Sequence, residues 1–274
     1  MSESGQAYTW SENAHEFRLT PWDNDPVSDR GGEAFYIRDE QTGKFWSPTA
    51  LPVPASGESV TRHGFGYSVF EHSEEGIFSE LCTFVALDAA IKYSVIKLRN
   101  DSTVPRRLSA TGYVEWVLGD LRHKTGMHVT TELDPVSGAL FARNQYNTEF
   151  FGRVGFFHVE AQNRTITSDR TEFIGRNRTL ASPAAMGARA CRANWAPRST
   201  RARRSRSCSN CSRAKSASWC SCWAWAGAAM PTPAAWSSST TAARRPRRPS
   251  TRCAITGRTR WARSRCTRPT LRST

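Results

Sequence analysis

From Ala185 to Thr274 the sequence contains no Asp, Glu, Val, Phe, Tyr or His. Without carboxylates, the 20 Lys and Arg of that stretch stand unneutralised, whereas residues 1–184 set 18 Lys and Arg against 24 Asp and Glu. The formal charge of +14 is therefore the sum of an acidic portion at −6 and a basic one at +20. Ile255 and Leu271 are the only branched aliphatics of the basic stretch. Burial there cannot offset chain entropy, and disorder is expected over 185–274. A run of about 18 apolar residues is missing throughout, which excludes a membrane-spanning helix, and the polar start MSESGQAYTW excludes a signal peptide. Residues 1–184 have a single cysteine, Cys82. That leaves no disulfide framework and fits a reducing, cytoplasmic location.

What the basic stretch does contain is odd for a disordered tail: six of the ten Trp and seven of the eight Cys. Arg, Ala, Cys, Trp, Ser, Thr and Pro together are the residues of GC-rich DNA read in the wrong frame. Joining the third base of each codon to the first two of the next tests this. Over Trp219–Ala226 the regrouped codons read Val, Phe or Leu, Val, Leu or Met, Leu, Gly, Val, Leu or Met, Gly, which is an apolar strand. The same shift permits ALDPCAAIQVLFEL over Arg198–Cys211 and GPVKVHTPDPALD over Trp261–Thr274. We therefore expect the frame to have been lost near residue 185. As written, RSTRARRSRS (Arg198–Ser207) would bind polyanions without specificity. The lone Cys208-Ser-Asn-Cys211 and the closely spaced Cys220 and Cys222 do not form a zinc ribbon.

From Gly32 onward, apolar and polar residues alternate in runs broken by turns, the period-two pattern of half-buried strands. Examples are Phe65, Tyr67, Val69; Ile77, Leu81, Val85 beside Phe78, Cys82, Phe84; and Leu108 to Leu118, long enough for an eleven-residue strand. Between Ile91, Tyr93, Val95 and Ile96, Leu98 the parity slips, as at a bulge. Turns are expected at Thr42-Gly43, Asp101-Ser102 and Asp134 to Gly138. No stretch has helical periodicity. The fold class these features predict is all-β, a large antiparallel β-sandwich.

Catalytic constellations are scarce. His123 and His128 are five apart and are expected to be ordinary surface or structural histidines. Gly64-Phe65-Gly66 lacks the Lys and helix of a phosphate cradle and is expected to be the close-packed start of a strand. Asp23, Asp25 and Asp29 could supply an acid/base pair for glycosidic chemistry, but turn and capping roles are expected. Cys82 has no base beside it. The aromatics are the remaining signal, since sugars stack on aromatic rings. Trp22, Trp46, Trp116 and Tyr146 are the candidate carbohydrate contacts, most aromatics being expected in the core. No cofactor and no metal is expected.

The stretch ENAHEFRLTPWDNDPVSDRGGEAFYIRDEQTGKFWSPTALP (Glu12–Pro52) resembles the start of the phosphorylase-like module of cyclic β-1,2-glucan synthases, in glycoside hydrolase family 94. The likeness continues through RHGFGYSVFEH (Arg62–His72), TGYVEWVLGD (Thr111–Asp120) and ARNQYNTEFFGRV (Ala142–Val154), and fades after RTEFIGRNRTLASPAAM (Arg170–Met186). The resemblance implies a supersandwich domain, galactose mutarotase-like, over 1–184, and a non-native tail over 185–274. In such enzymes a helical barrel follows and carries the catalytic acid, so no catalytic residue transfers to this sequence. The expected function is that of a carbohydrate-binding sandwich from a larger enzyme acting on β-linked glucan or glucose 1-phosphate, inactive alone, with a homodimer contact through the sandwich. The parent synthase is associated with the inner membrane. A stand-alone carbohydrate-binding module is the alternative, and a basic-tailed nucleic-acid-binding protein a further one.

Overall fold

A computed structural model describes residues 1–188 except 26, 28–30, 160, 162 and 163, together with the backbones of 202–211 and 219–228. All lie within the compact unit Met1–Met230. The strands are β1 (Glu33–Asp39), β2 (Phe45–Trp46), β3 (Ser59–Gly64), β4 (Tyr67–Glu74), β5 (Ile77–Val85), β6 (Ile91–Asn100) and β7 (Arg106–Glu115). They continue as β8 (Val129–Leu133), β9 (Leu140–Asn144), β10 (Val154–Val159), β11 (Arg164–Thr167), β12 (Ala202–Cys211) and β13 (Trp219–Ala228). The helices among the described residues are short: α1 (Arg122–Thr125), α2 (Arg170–Ile174) and a 3-10 turn over Ala184–Met186.

Two antiparallel sheets result, a five-stranded one in the order β11-β12-β7-β1-β2 and an eight-stranded one in the order β3-β4-β5-β6-β13-β10-β9-β8. The main core lies where their inner faces meet. Phe35, Ile37, Leu108, Ala110 and Val114 of the smaller sheet pack with Phe70, Leu81, Ile96, Leu98, Leu140 and Phe157 of the larger. The smaller sheet is covered on its other face too. Ala34, Tyr36 and Tyr113 pack under Phe173 and Ile174 of α2 and under Ala185 and Met186, and Tyr36 donates its hydroxyl to the Leu180 carbonyl at 2.8 Å. Every residue of β1 is consequently buried.

The all-β antiparallel sandwich expected from the alternation is observed. The expected turns fall between β1 and β2, β6 and β7, and β8 and β9, with Gly43 and Gly138 at φ of 77° and 65°, backbone angles that glycine adopts without steric cost.

Several details differ from expectation. The parity slip in β6 is not a bulge, because its register with β5 is unbroken from Ile77↔Asn100 to Val85↔Lys92. Both faces of β6 are simply apolar, Ile96 and Leu98 inward and Tyr93 outward, stacked on Phe84 at 5.4 Å. β7 stops at Glu115, since the chain then pairs with the N-terminal segment, Val117 N–H donating to Leu19, and turns at Leu118, φ 48°. Gly64 is close-packed as expected, against the Tyr67 ring, but Phe65 and Gly66 form an open hairpin tip, with Phe65 fully exposed and no atom within 4 Å of where a Gly66 Cβ would lie.

Within 185–274 the described residues include two strands. β12 forms ten residue pairs with β7, and β13 lies between β6 and β10. Each occupies a position between two strands where open backbone donors and acceptors demand partners. Residues 189–201, 212–218 and 229–274 lie outside the described residues.

Candidate functional site

An open cleft of about 650 Å³ lies at one end of the eight-stranded sheet. Alternating strand residues build its walls. The β3–β4 hairpin contributes His63, Tyr67 and Ser68, the end of β5 Thr83 and Phe84, the start of β6 Ile91 and Lys92, and the N-terminal segment Tyr8 to Glu12. The N-terminal segment is held by bridges from Trp10 to Arg18 and from Arg18 to Gly119. These place Trp10, half exposed, on one side of the cleft, with Tyr67, 40% exposed, also lining it.

Beneath lies a buried polar cluster. Lys92 Nζ donates to Glu33 at 2.6 Å and to Thr9 Oγ1 at 3.0 Å. Glu33 also accepts from Thr20 Oγ1 at 2.9 Å, and Thr9 N–H donates to that same hydroxyl at 2.7 Å. With both ions partnered and hydrogen-bonded, the pair holds the N-terminal segment against β1 and β6 without leaving a charge unsatisfied. At the cleft wall His63 and Ser68 are 2.9 Å apart. Among the described residues Glu12 is the one carboxylate lining the cleft, and Arg153 holds it at 2.7 Å. A cleft with one ion-paired carboxylate and several aromatic faces can stack and hydrogen-bond a sugar, but lacks the paired carboxyl groups of hydrolytic glycosidic chemistry.

The four sequence-selected aromatics do not converge. Trp46 and Trp116 are 2% and 0% exposed, inside the main core, so neither has a ring face available to a sugar. Trp22 is 43% exposed, near Tyr8 at 5.9 Å with Arg18 over its ring. Tyr146 is exposed and stacks on His128 at 4.2 Å. It lines a separate depression of about 290 Å³ with Glu16, Asp120, Asn144, Asn147 and Glu149. There Lys124 bonds Asp120 at 2.6 Å and holds its carboxyl below the usual carboxylate range.

Asp23 is exposed, and Asp25 accepts from Val27 N–H in a turn; Asp29 lies outside the described residues. No cluster of three metal-ligating side chains occurs among the described residues. Trp10 and Tyr8 escaped the sequence reading. Their i, i+2 spacing in Tyr8-Thr9-Trp10 puts both rings on one side of an extended segment, a signal that was there to be read.

Two antiparallel sheets packed face to face around a shared core define a β-sandwich, here with an aromatic-lined cleft at one end. Residues 1–198 match the glycosyl hydrolase 94 supersandwich domain, and the chain belongs to that family. Over 187 residues, 68% of this chain, it is 36% identical to a cyclic beta-(1,2)-glucan synthase, NdvB, of Rhizobium meliloti (strain 1021). Over 202 residues it is 29% identical to an N,N'-diacetylchitobiose phosphorylase of Vibrio furnissii. A solabiose phosphorylase of Paenibacillus borealis is 34% identical over 91 residues. The matched part spans 7% of the synthase and 25% of the chitobiose phosphorylase.

Proposed function

We propose that this chain is the glucan-binding sandwich of a larger phosphorylase-type enzyme, acting beside a catalytic module that it does not itself contain. The observation that carries this reading is the cleft lined by Trp10, Tyr67, Tyr8 and Phe84, whose single carboxylate is tied to Arg153. It offers stacking surface and polar groups but no acid/base pair. β-Linked glucan is the proposed ligand, with glucose 1-phosphate a substrate of the parent enzyme only. Trp22 and Tyr146 are exposed secondary contacts. A homodimer contact through the sandwich, a cytoplasmic location and non-specific polyanion binding by residues beyond 184 complete the proposal. No described helix is long and apolar enough to cross a membrane.

Titration calorimetry with a β-1,2-linked gluco-oligosaccharide tests the reading. Trp10→Ala and Tyr67→Ala are each expected to weaken binding about tenfold, the loss typical of a stacking anchor, while Trp46→Phe, in the core, leaves it unchanged. Absence of binding by the unsubstituted chain, or equal binding by Trp10→Ala, would overturn it.

A further inference from the structure

β12 and β13 complete the two sheets, yet the residues written there disagree with the places they occupy. Positions 203, 205, 207 and 209 lie opposite Val114, Gly112, Ala110 and Leu108, and directly opposed residues share one face of a sheet. Leu108, Ala110 and Val114 are fully buried in the main core. The sequence puts Arg203, Ser205, Ser207 and Ser209 there.

In β13, positions 219, 221, 223 and 225 lie opposite Leu98, Ile96, Ser94 and Lys92 of β6, and the last two also opposite Val159 and Phe157 of β10. Leu98, Ile96, Val159 and Phe157 are core residues. The sequence puts Trp219, Ser221, Trp223 and Trp225 there. An apolar core face favours aliphatic residues over cations and hydroxyls.

The register decides what the shifted frame would put at the same places. Each regrouped codon is numbered by the residue supplying its last two bases, and serine is taken as TCN. Any base before TC encodes Phe, Leu, Ile or Val, which settles positions 205 and 207. A pyrimidine before TC encodes Phe or Leu, which settles 209 and 221. A pyrimidine before TG encodes Leu alone, at 223. Any base before TG encodes Leu, Val or Met, at 219 and 225. Seven of the eight core-side positions are thus apolar whatever the third base, and the eighth, 203, permits Ala. On the rim, position 210 permits Glu opposite exposed Arg107. The backbone pairing and the codon degeneracy are independent, and they agree position by position.

We propose that the places between β11 and β7 and between β6 and β10 are acceptors for apolar strands, and that the strands made for them are encoded one base out of step with residues 198–226. The occupant that fits is that shifted-frame segment; the chain as written fills both places with a poor substitute. This conclusion does not depend on which sugar the cleft takes.

Three forms of the full chain test it by thermal unfolding followed by near-ultraviolet circular dichroism. They are the chain as written, a core-side set, and a slipped set. The core-side set carries Arg203→Ala, Ser205→Ile, Ser207→Val and Ser209→Phe with Ser221→Leu, Trp223→Leu and Trp225→Val. The slipped set moves three of the β12 changes by one residue, as Arg204→Ile, Arg206→Val and Asn210→Phe, where the shifted frame permits Ala, Gln and Glu. The core-side set is expected to melt cooperatively, with a midpoint higher than the chain as written by on the order of 10 °C. The slipped set is expected to gain nothing, because a one-residue slip turns every side chain to the other face. Equal melting of the chain as written and the core-side set, a slipped set that matches the core-side set, or no cooperative transition in the core-side set overturns the proposal. The gene supplies a second reading: Ser205, Ser207, Ser209 and Ser221 must all use TCN, and AGY at any of them contradicts it.

Discussion

Glu33 and Lys92 face each other at 2.6 Å with side chains only 5% and 9% exposed. Breaking such a pair from one side leaves an uncompensated buried charge, so Lys92→Met is expected to cost about 3–5 kcal/mol in denaturant unfolding. The double change Glu33→Met with Lys92→Met should recover part of that loss, because no charge is left unpaired although the buried Thr20 hydroxyl loses its acceptor. At this scale the sequence was only partly legible. Trp46 and Trp116 have the same composition signal as Trp10, and burial separates them; burial is set by β2, β7 and the strands across the sandwich, which local pattern does not contain. Lys92 pairs with a residue 59 positions away, a relation no spacing rule announces.

At the scale of elements, alternation located the strands well and located their ends less well. β7 was extended too far because Trp116 and Leu118 continue its apolar parity; they remain buried, but the backbone has changed partners. The β8–β9 turn was readable from Asp134 and Gly138, and the structure shows why the aspartate is there. Ser137, through its hydroxyl first and then its N–H, holds the Asp134 carboxyl below its ordinary value of 3.8. A depressed folded-state pKa contributes stability that is complete above the unfolded value and is lost as pH falls through the folded one. Asp134→Asn is therefore expected to flatten the acid limb of a stability–pH profile below about pH 4. Near neutral pH it should cost no more than about 1 kcal/mol, since the site is solvent-exposed.

At the scale of the molecule, composition divided the chain sharply at residue 184, and the sheets do not respect that division. The reason is geometric: a sandwich needs interior strands wherever its ladders would otherwise stand open, and chain from beyond 184 fills both places. The proposed function, with catalysis in a separate module, leads to a plain expectation of the whole chain. Incubated with glucose 1-phosphate and a glucan acceptor, it should release no phosphate above background; measurable turnover would place a catalytic group in this chain after all.

The second cover of the smaller sheet turns one side chain into an optical gauge. Tyr113 sits fully buried beneath Phe173, its ring stacked at 4.8 Å, and burial first, then the nearby Glu115 carboxylate, pushes its hydroxyl well above the ordinary value of 10.0. Folding holds that proton, so the contribution to stability is intact below the ordinary tyrosine value and drains away as pH climbs past it. In an alkaline titration the arrival of the Tyr113 phenolate marks the moment the segment from Arg170 to Met186 lifts off the sheet.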